Sequence, residues 1–331
     1  MRKIIALLLM LIMLTGCAPY EGGQHYSVTY WDLFDTVTTV TGSADNQEAF
    51  RQQADAVHEA LLRYHRLFDI YNEYEDMNNL KTVNDAAGKQ PVAVDPEIID
   101  LLLACKEYYA FTKGRVNVAM GSVLRLWHDA RQSEIPYLPA QAALSEASRH
   151  TDIEKLVIDE KNATVFLADE QMRLDVGAVA KGWAVQRVAE AAPKGMLLSV
   201  GGNICATGAK DEANTPWVVG IQNPDESSQY LHTLEITGGS VVTSGDYQRC
   251  FVVDGKSYHH IIDPDTQIPG RLWRAVTVVC ADSGLADALS TALFLLPLEQ
   301  GKALAQKAGA EAFWLDGQGN RFYTDGFSFK T

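Results

Sequence analysis

Cysteine is scarce in this chain of 331 residues: there are five, and no two stand in a C-x-x-C pair. That excludes the common zinc and thioredoxin-type arrangements. Basic residues are outnumbered, 28 against 42 acidic, for a net charge of −14. An acidic chain lacks the electrostatic footprint of a nucleic-acid binder, so an anionic ligand must be held by local donors or a metal ion. Long apolar runs are also missing. Ile4 to Leu14 is unbroken for eleven residues, too few to span a bilayer as a helix. No internal repeat or low-complexity linker divides the sequence.

What is present begins with Arg2 and Lys3 ahead of that apolar run, the pattern of a signal-peptide core. It ends in Leu14-Thr15-Gly16-Cys17, which resembles a bacterial lipobox. The resemblance implies cleavage before Cys17 and lipidation of it, with residues 1–16 as signal peptide and 17–27 as a lipidated tether. The alternative is an ordinary signal peptide with an incidental cysteine. On the lipobox reading the protein is lipid-anchored and extracytoplasmic, periplasmic or on the outer face. Residues 28–331 then form one large domain, or two intimately packed ones divided near residue 150. Cys105, Cys205 and Cys280 sit in apolar patterns and are expected as buried thiols.

Periodicity predicts a strand over Val28 to Thr41, centred on Phe34-Asp35-Thr36, and a helix over Gln47 to Phe68. Asp69 to Pro91 reads as loop. Asp95-Pro96 starts a helix to about Thr112, with Asp95 as N-cap and Pro96 at the first position. Shorter helices are expected over Met120 to Ala130 and Ala140 to Arg149. Beyond residue 150, strand patterns dominate, broken by helices at Val179 to Ala191, Leu285 to Leu296 and Leu298 to Ala308. Helices concentrated in the first half and mixed or antiparallel sheet in the second indicate an α+β architecture.

Three segments carry chemistry. Asp175 to Gly182 reads as strand end, small residues and helix start, which offers backbone N–H groups to an anion, with Lys181 as a positive head. The plainer reading is a tight turn with a solvent lysine. Asp287 and Thr291 stand at i and i+4 on a helix, so both oxygens point one way and suit a hard cation such as Mg²⁺. Thr243 to Pro264 brings a Ser244/Gly245/Asp246 turn and a His260/Asp263 turn to the ends of two strands. His260 can serve as a general base, while His259 faces the other side of the same strand. Gly201-Gly202-Asn203 is a further strand-end loop.

In their order these segments resemble the FAD:protein FMN transferases, the ApbE family, formerly called thiamine-biosynthesis lipoproteins. The resemblance spans nearly all of the mature chain. Its blocks are Phe34-Asp35-Thr36, Phe68 to Asn72, Asn117 to Trp127, Asp175 to Gly182, Gly201 to Asn203, Thr243 to Tyr247, His260 to Pro264, and Ala286 to Thr291. Departures are Val116-Asn117, where the family often has Phe-Asp, and Thr266-Gln267, where it has Thr-Gly. The resemblance implies an ApbE-like, T-fold-like architecture and Mg²⁺-dependent transfer of FMN from FAD to a threonine of an electron-transfer protein, releasing AMP. It also implies Mg²⁺ on the Ala178 carbonyl, Asp287 and Thr291, with Lys181 near FAD. Phe34, Asn79, Leu80, Lys81, Asn117, Ser244, Gly245, His260, Ile261 and Ile262 would line the nucleotide. His260 and Asp287 would be catalytic. An FAD pyrophosphatase giving FMN and AMP, or a non-catalytic FAD-binding lipoprotein, are the alternatives.

Overall fold

Alternating Val, Thr and Tyr at the start of the chain produce a hairpin where one strand was expected. Strand β1 (Gln24–Leu33) pairs with β2 (Thr36–Ala44), and Phe34 and Asp35 form the turn between them. Both turn residues have positive φ, 51° and 52°. This is the mirror-image turn that matches the twist of a hairpin, and it is unusual without glycine. The computed structural model describes residues 24–226 and 229–328. Cys17 and the signal-peptide span lie outside them, and β1 takes in residues 24–27, which the sequence reading placed in the tether.

Helix α1 (Gln47–Phe68) has the bounds its periodicity predicts. Asn46 caps it, and Phe50, Ala54, Val57, Leu61, Tyr64 and Phe68 form its buried stripe. The stretch read as loop contains α2 (Leu80–Asp85), capped by Asn79. After β3 (Val92–Ala93), α3 (Pro96–Phe111) begins behind Asp95 as expected. Then come α4 (Gly121–Gln132), α5 (Gln141–Ala147), β4 (Leu156–Asp159), β5 (Thr164–Leu167) and α6 (Ala180–Ala191). Strands β6 (Met196–Val200), β7 (Asn203–Ala206), β8 (Trp217–Gln222), β9 (Tyr230–Ile236), β10 (Gly239–Gly245), β11 (Phe251–Val253), β12 (Lys256–Tyr258) and β13 (Ala275–Cys280) follow. The chain closes with α7 (Ser283–Phe294), α8 (Leu298–Lys307), β14 (Glu311–Leu315) and β15 (Arg321–Tyr323).

Eight strands form one antiparallel sheet in the order β1-β2-β6-β7-β10-β13-β14-β15. Two of them precede residue 150 and six follow it, so a cut there passes through a single sheet. Helices cover one face: α1 lies on β1 and β2, α6 on β6 and β7, and α7 on β10 and β13. The β8–β9 ribbon covers the other face. Strand alternation sorts the side chains. Val242, Val276, Val278 and Trp314 face the helices, while Val241, Ala275, Phe313 and Leu315 pack with Trp217 and Ile236 of the ribbon. The α+β expectation holds. Cys105, Cys205 and Cys280 are buried and unpaired, and Cys250 is exposed.

Four local expectations differ, two of them (Leu174 to Val176 and His260 to Ile262) because side chains or tight turns take the hydrogen bonds a strand would use. Leu174 to Val176 is not a strand, because Asn84 bonds both the N–H and the carbonyl of Leu174 and Val118 takes the Asp175 N–H. Gly201 and Gly202, with φ 53° and 92°, make the β6–β7 turn, and Asn203 opens a strand the sequence reading missed. Thr243 to Gly245 end β10 within the ladder, and the turn begins after them. The expected strand through His260 to Ile262 stops at Tyr258. There the His259 ring accepts the Ile261 N–H, and the Ile261 carbonyl accepts the Gly270 N–H.

Candidate active site

At one end of the sheet these elements enclose a cleft of about 360 Å³. Its firmest corner is the crossing of α6 and α7. A Cβ on Gly182 would come within 2.3 Å of the Ser283 carbonyl oxygen, so only glycine lets the helices approach this closely. That approach lets the Gly182 N–H donate to Asp287 Oδ2 at 2.9 Å, and Lys181 Nζ lies 3.6 Å from the same oxygen. Asp287 is therefore a nearly buried carboxylate held by a helix-start N–H and a lysine. Thr291 follows one turn later, and Ala178, Asp287 and Thr291 all line the cleft. Among the described residues no three His, Cys, Asp or Glu side chains group as metal ligands. A cation here would rest on one carboxylate, a hydroxyl, a backbone carbonyl, and oxygens from water and ligand. That hard-oxygen set fits Mg²⁺ and suits no softer metal.

Ser244, on the wall beside this corner, is tied to it. Ser290 Oγ donates to the Asp287 carbonyl, so the 2.8 Å contact between the two serine hydroxyls is donated by Ser244. Gly245 does not reach the cleft: it pairs with Ala275, and a Cβ on it would strike the Tyr247 ring.

The two histidines differ as expected, by a different route. His259 Nε2 donates to the Gly270 carbonyl at 2.7 Å and its Nδ1 accepts from Ile261, so both nitrogens are spent on the loop. His260 Nδ1 lies 3.2 Å from the Gln248 carbonyl, which can only accept. The proton therefore sits on Nδ1, and Nε2 keeps its lone pair. His260 lines the cleft, and its ring is exposed to it. Desolvation, then Arg249, His259 and Lys181, push its imidazole down to about 3. Water in the open cleft moderates that lowering, but the direction leaves the ring neutral.

Opposite expectations meet at Asn79 to Lys81, which do not line the cleft. Asn79 and Leu80 are fully buried. Asn79 Nδ2 donates to the Asn72 carbonyl, and the Lys81 N–H donates to the Asp69 carbonyl. They brace the Asp69–Asn72 turn, which does line it. Asp69 closes that turn by accepting from the Tyr71 and Asn72 N–H groups and from Tyr74. Asn117 lines the cleft, but its amide is occupied by Ala119 and Thr151. Phe34, Ile261 and Ile262 line it as expected.

Sequence reasoning missed His65, His128, Arg131, Gln248 and Arg249, all of which line the cleft. The Tyr71 ring stacks on His128 at 4.9 Å. His65 Nδ1 accepts the Phe34 N–H and so holds the strained turn. His128 and Arg131 share a helical face at i and i+3, a signal that was there to use. Nothing local marks Arg249. Asp175, within the expected segment, is pushed up by burial, with the Gly177 N–H, Arg249 and His128 partly offsetting.

Cations, hard oxygen donors and a neutral imidazole around one cleft make this an α+β enzyme suited to an anionic ligand. The sequence model of the ApbE family matches residues 23–314. A relative in Klebsiella pneumoniae (strain 342), FAD:protein FMN transferase, is 32% identical over 76% of this chain and 81% of its own length. One of the same name in Treponema pallidum (strain Nichols) is 32% identical over 80% and 79%. The crystal structure of the ApbE protein of Thermotoga maritima superposes with a TM-score of 0.83 at 28% identity, covering 91% of this chain and 97% of that one. That of the Pseudomonas stutzeri flavinyl transferase ApbE gives 0.78 at 26%, covering 93% and 97%. The chain belongs to the ApbE family and is an enzyme of the transferase class.

Proposed function

We propose that this protein transfers the FMN moiety of FAD to a threonine hydroxyl of an acceptor protein, releasing AMP, with Mg²⁺ bound at the α6–α7 corner. The observation that carries the reading is the free Nε2 of His260 in the same cleft as the Asp287–Thr291 pair. In the reaction the threonine oxygen bonds to the FMN phosphorus, the phosphoanhydride bond to AMP breaks, and AMP leaves with the bond's electron pair. His260 Nε2 takes the threonine proton, and the Gln248 carbonyl steadies the imidazolium through Nδ1–H. Lys181 offers positive charge to the diphosphate. Ala178, Asp287 and Thr291 would hold Mg²⁺, which neutralises diphosphate charge when bound. An empty cleft keeps His260 poorly basic. An anionic diphosphate beside it opposes Arg249 and Lys181 and raises its basicity. Cys17 would carry a lipid that tethers the enzyme at an extracytoplasmic membrane face, where its electron-transfer acceptors would lie.

The test is to incubate the protein with FAD, Mg²⁺ and a flavin-acceptor domain, then measure the acceptor's intact mass. A Mg²⁺-dependent gain of one FMN is the expected result. AMP release with an unmodified acceptor would point to FAD hydrolysis, and intact FAD to binding alone.

A further inference from the structure

Four Lys or Arg side chains line the cleft: Arg115, Arg131, Lys181 and Arg249. Arg115 is paired with Asp263 and Asp265, and Lys181 sits by Asp287. Among the described residues neither Arg131 nor Arg249 has a carboxylate within ion-pair reach. Yet the two are neighbours: Arg131 Nη1 donates to the Arg249 carbonyl at 3.2 Å. Asp175 is the carboxylate that senses Arg249, and it makes no ion pair with it; two adjacent guanidiniums with no paired carboxylate are an unfavourable arrangement unless something anionic completes it.

The surroundings hold both in place. Arg131 Nη2 lies 3.4 Å from His128 Nδ1, which can only accept from it. Arg249 Nη2 donates to the Phe34 carbonyl at 3.2 Å. The Arg249 backbone has φ 42°, a conformation that costs a non-glycine residue roughly 1 kcal/mol. The Phe34–Asp35 turn it touches is strained in the same way. Such strain persists where the surroundings over-determine it, commonly at ligand sites. The other N–H groups of Arg249 have no partner among the described residues, and Arg249 immediately follows Gln248, which holds His260.

We infer that Arg131 and Arg249 form an anion subsite, distinct from the Lys181–Asp287 corner, that takes phosphoryl oxygens of the bound nucleotide beside His260. This rests on the proposed function for the nucleotide's identity, but the anion site itself does not. Arg249 supplies the N–H fork, which matches phosphate geometry. Arg131 sets the Arg249 backbone and adds charge behind it.

The experiment is calorimetric titration of the full-length chain with FAD, inorganic pyrophosphate and riboflavin, a flavin without phosphate. Arg249→Gln, Arg131→Gln and the double variant are compared with wild type. Glutamine can still donate to the Phe34 carbonyl, and thermal midpoints check the fold. Each single change is expected to weaken FAD and pyrophosphate about tenfold and leave riboflavin unchanged. Equal losses for FAD and riboflavin would overturn the subsite, since the arginines would then only shape the flavin pocket. So would unchanged FAD and pyrophosphate affinity with a raised KM for the acceptor, which would assign them to the protein partner. Pyrophosphate binding that depends on these arginines, in a protein that modifies no acceptor, would sink the flavin-transfer reading and leave the subsite standing.

Discussion

His260 and Asp287 are held by main-chain groups that belong to other elements, and this makes their roles separable. Replacing His260 with Ala removes the proton acceptor at Nε2 together with the Nδ1 contact to the Gln248 carbonyl. Acceptor flavinylation should fall roughly 10²–10⁴-fold while the Kd for FAD changes little, read by single-turnover transfer and FAD titration. Equal losses in both would make His260 a binding residue. Its neutral state also sets a pH expectation. The ordinary imidazole value is 6.5 and the shift is downward, so the base stays active as pH falls through 6.5. An acid limb of kcat/KM centred near about 6.5 would contradict the cation-flanked environment. For Asp287, Asn is the informative change, because it can still accept the Gly182 N–H. Asp287→Asn should abolish Mg²⁺-stimulated turnover and spare the fold. Wild-type response in a Mg²⁺ titration would take Asp287 out of the metal site.

Among the elements, the α6–α7 crossing decides whether the site exists. Gly182→Ala must push Ser283 and Asp287 away, since the new Cβ would lie 2.5 Å from the Asp287 Cβ. The expected cost is about 1–3 kcal/mol in a denaturant titration, with weakened Mg²⁺ dependence. A wild-type midpoint would mean the two helices have room to part. At this scale the sequence was read with uneven success. The bounds of α1 followed from its 3.6-residue stripe, and the start of α3 from Asp95 and Pro96, because both signals are local. The Phe34–Asp35 turn left little trace: Asp tolerates positive φ, but Phe does not and no glycine marks the turn. Tertiary partners impose it: His65 on the Phe34 N–H and Arg249 on its carbonyl. Asn79 was expected to line the cleft and does not, because its cap and brace roles depend on where Asn72 folds back.

For the whole molecule, buried histidines set the acid limit of stability. His232 packs against Phe313 and Phe327, and burial, then Arg321, push its imidazole down to about 4. His259 is lowered too, by burial first. A lowered imidazole means the unfolded chain takes up protons below about 6.5 before the folded one does. Stability should therefore be full above that value and decline as pH falls toward 4. Denaturant midpoints at pH 7.5 and 5 test this, and His232→Leu should flatten the slope if it folds. A pH-independent midpoint across the window would show that these rings are solvated.

The order of motifs, the α+β class and the i, i+4 pairing of Asp287 with Thr291 were determined by the sequence alone, because each rests on spacing within one segment. The lipobox is likewise a purely linear signal. Which residues meet was decided only by the tertiary structure. Arg131 and Arg249 are 118 residues apart, and Gly182 and Asp287 are 105 apart. No periodicity links such pairs. Their contacts exist because one antiparallel sheet gathers strands from both halves of the chain and sets α4, α6, α7 and the loop before β11 around one cleft.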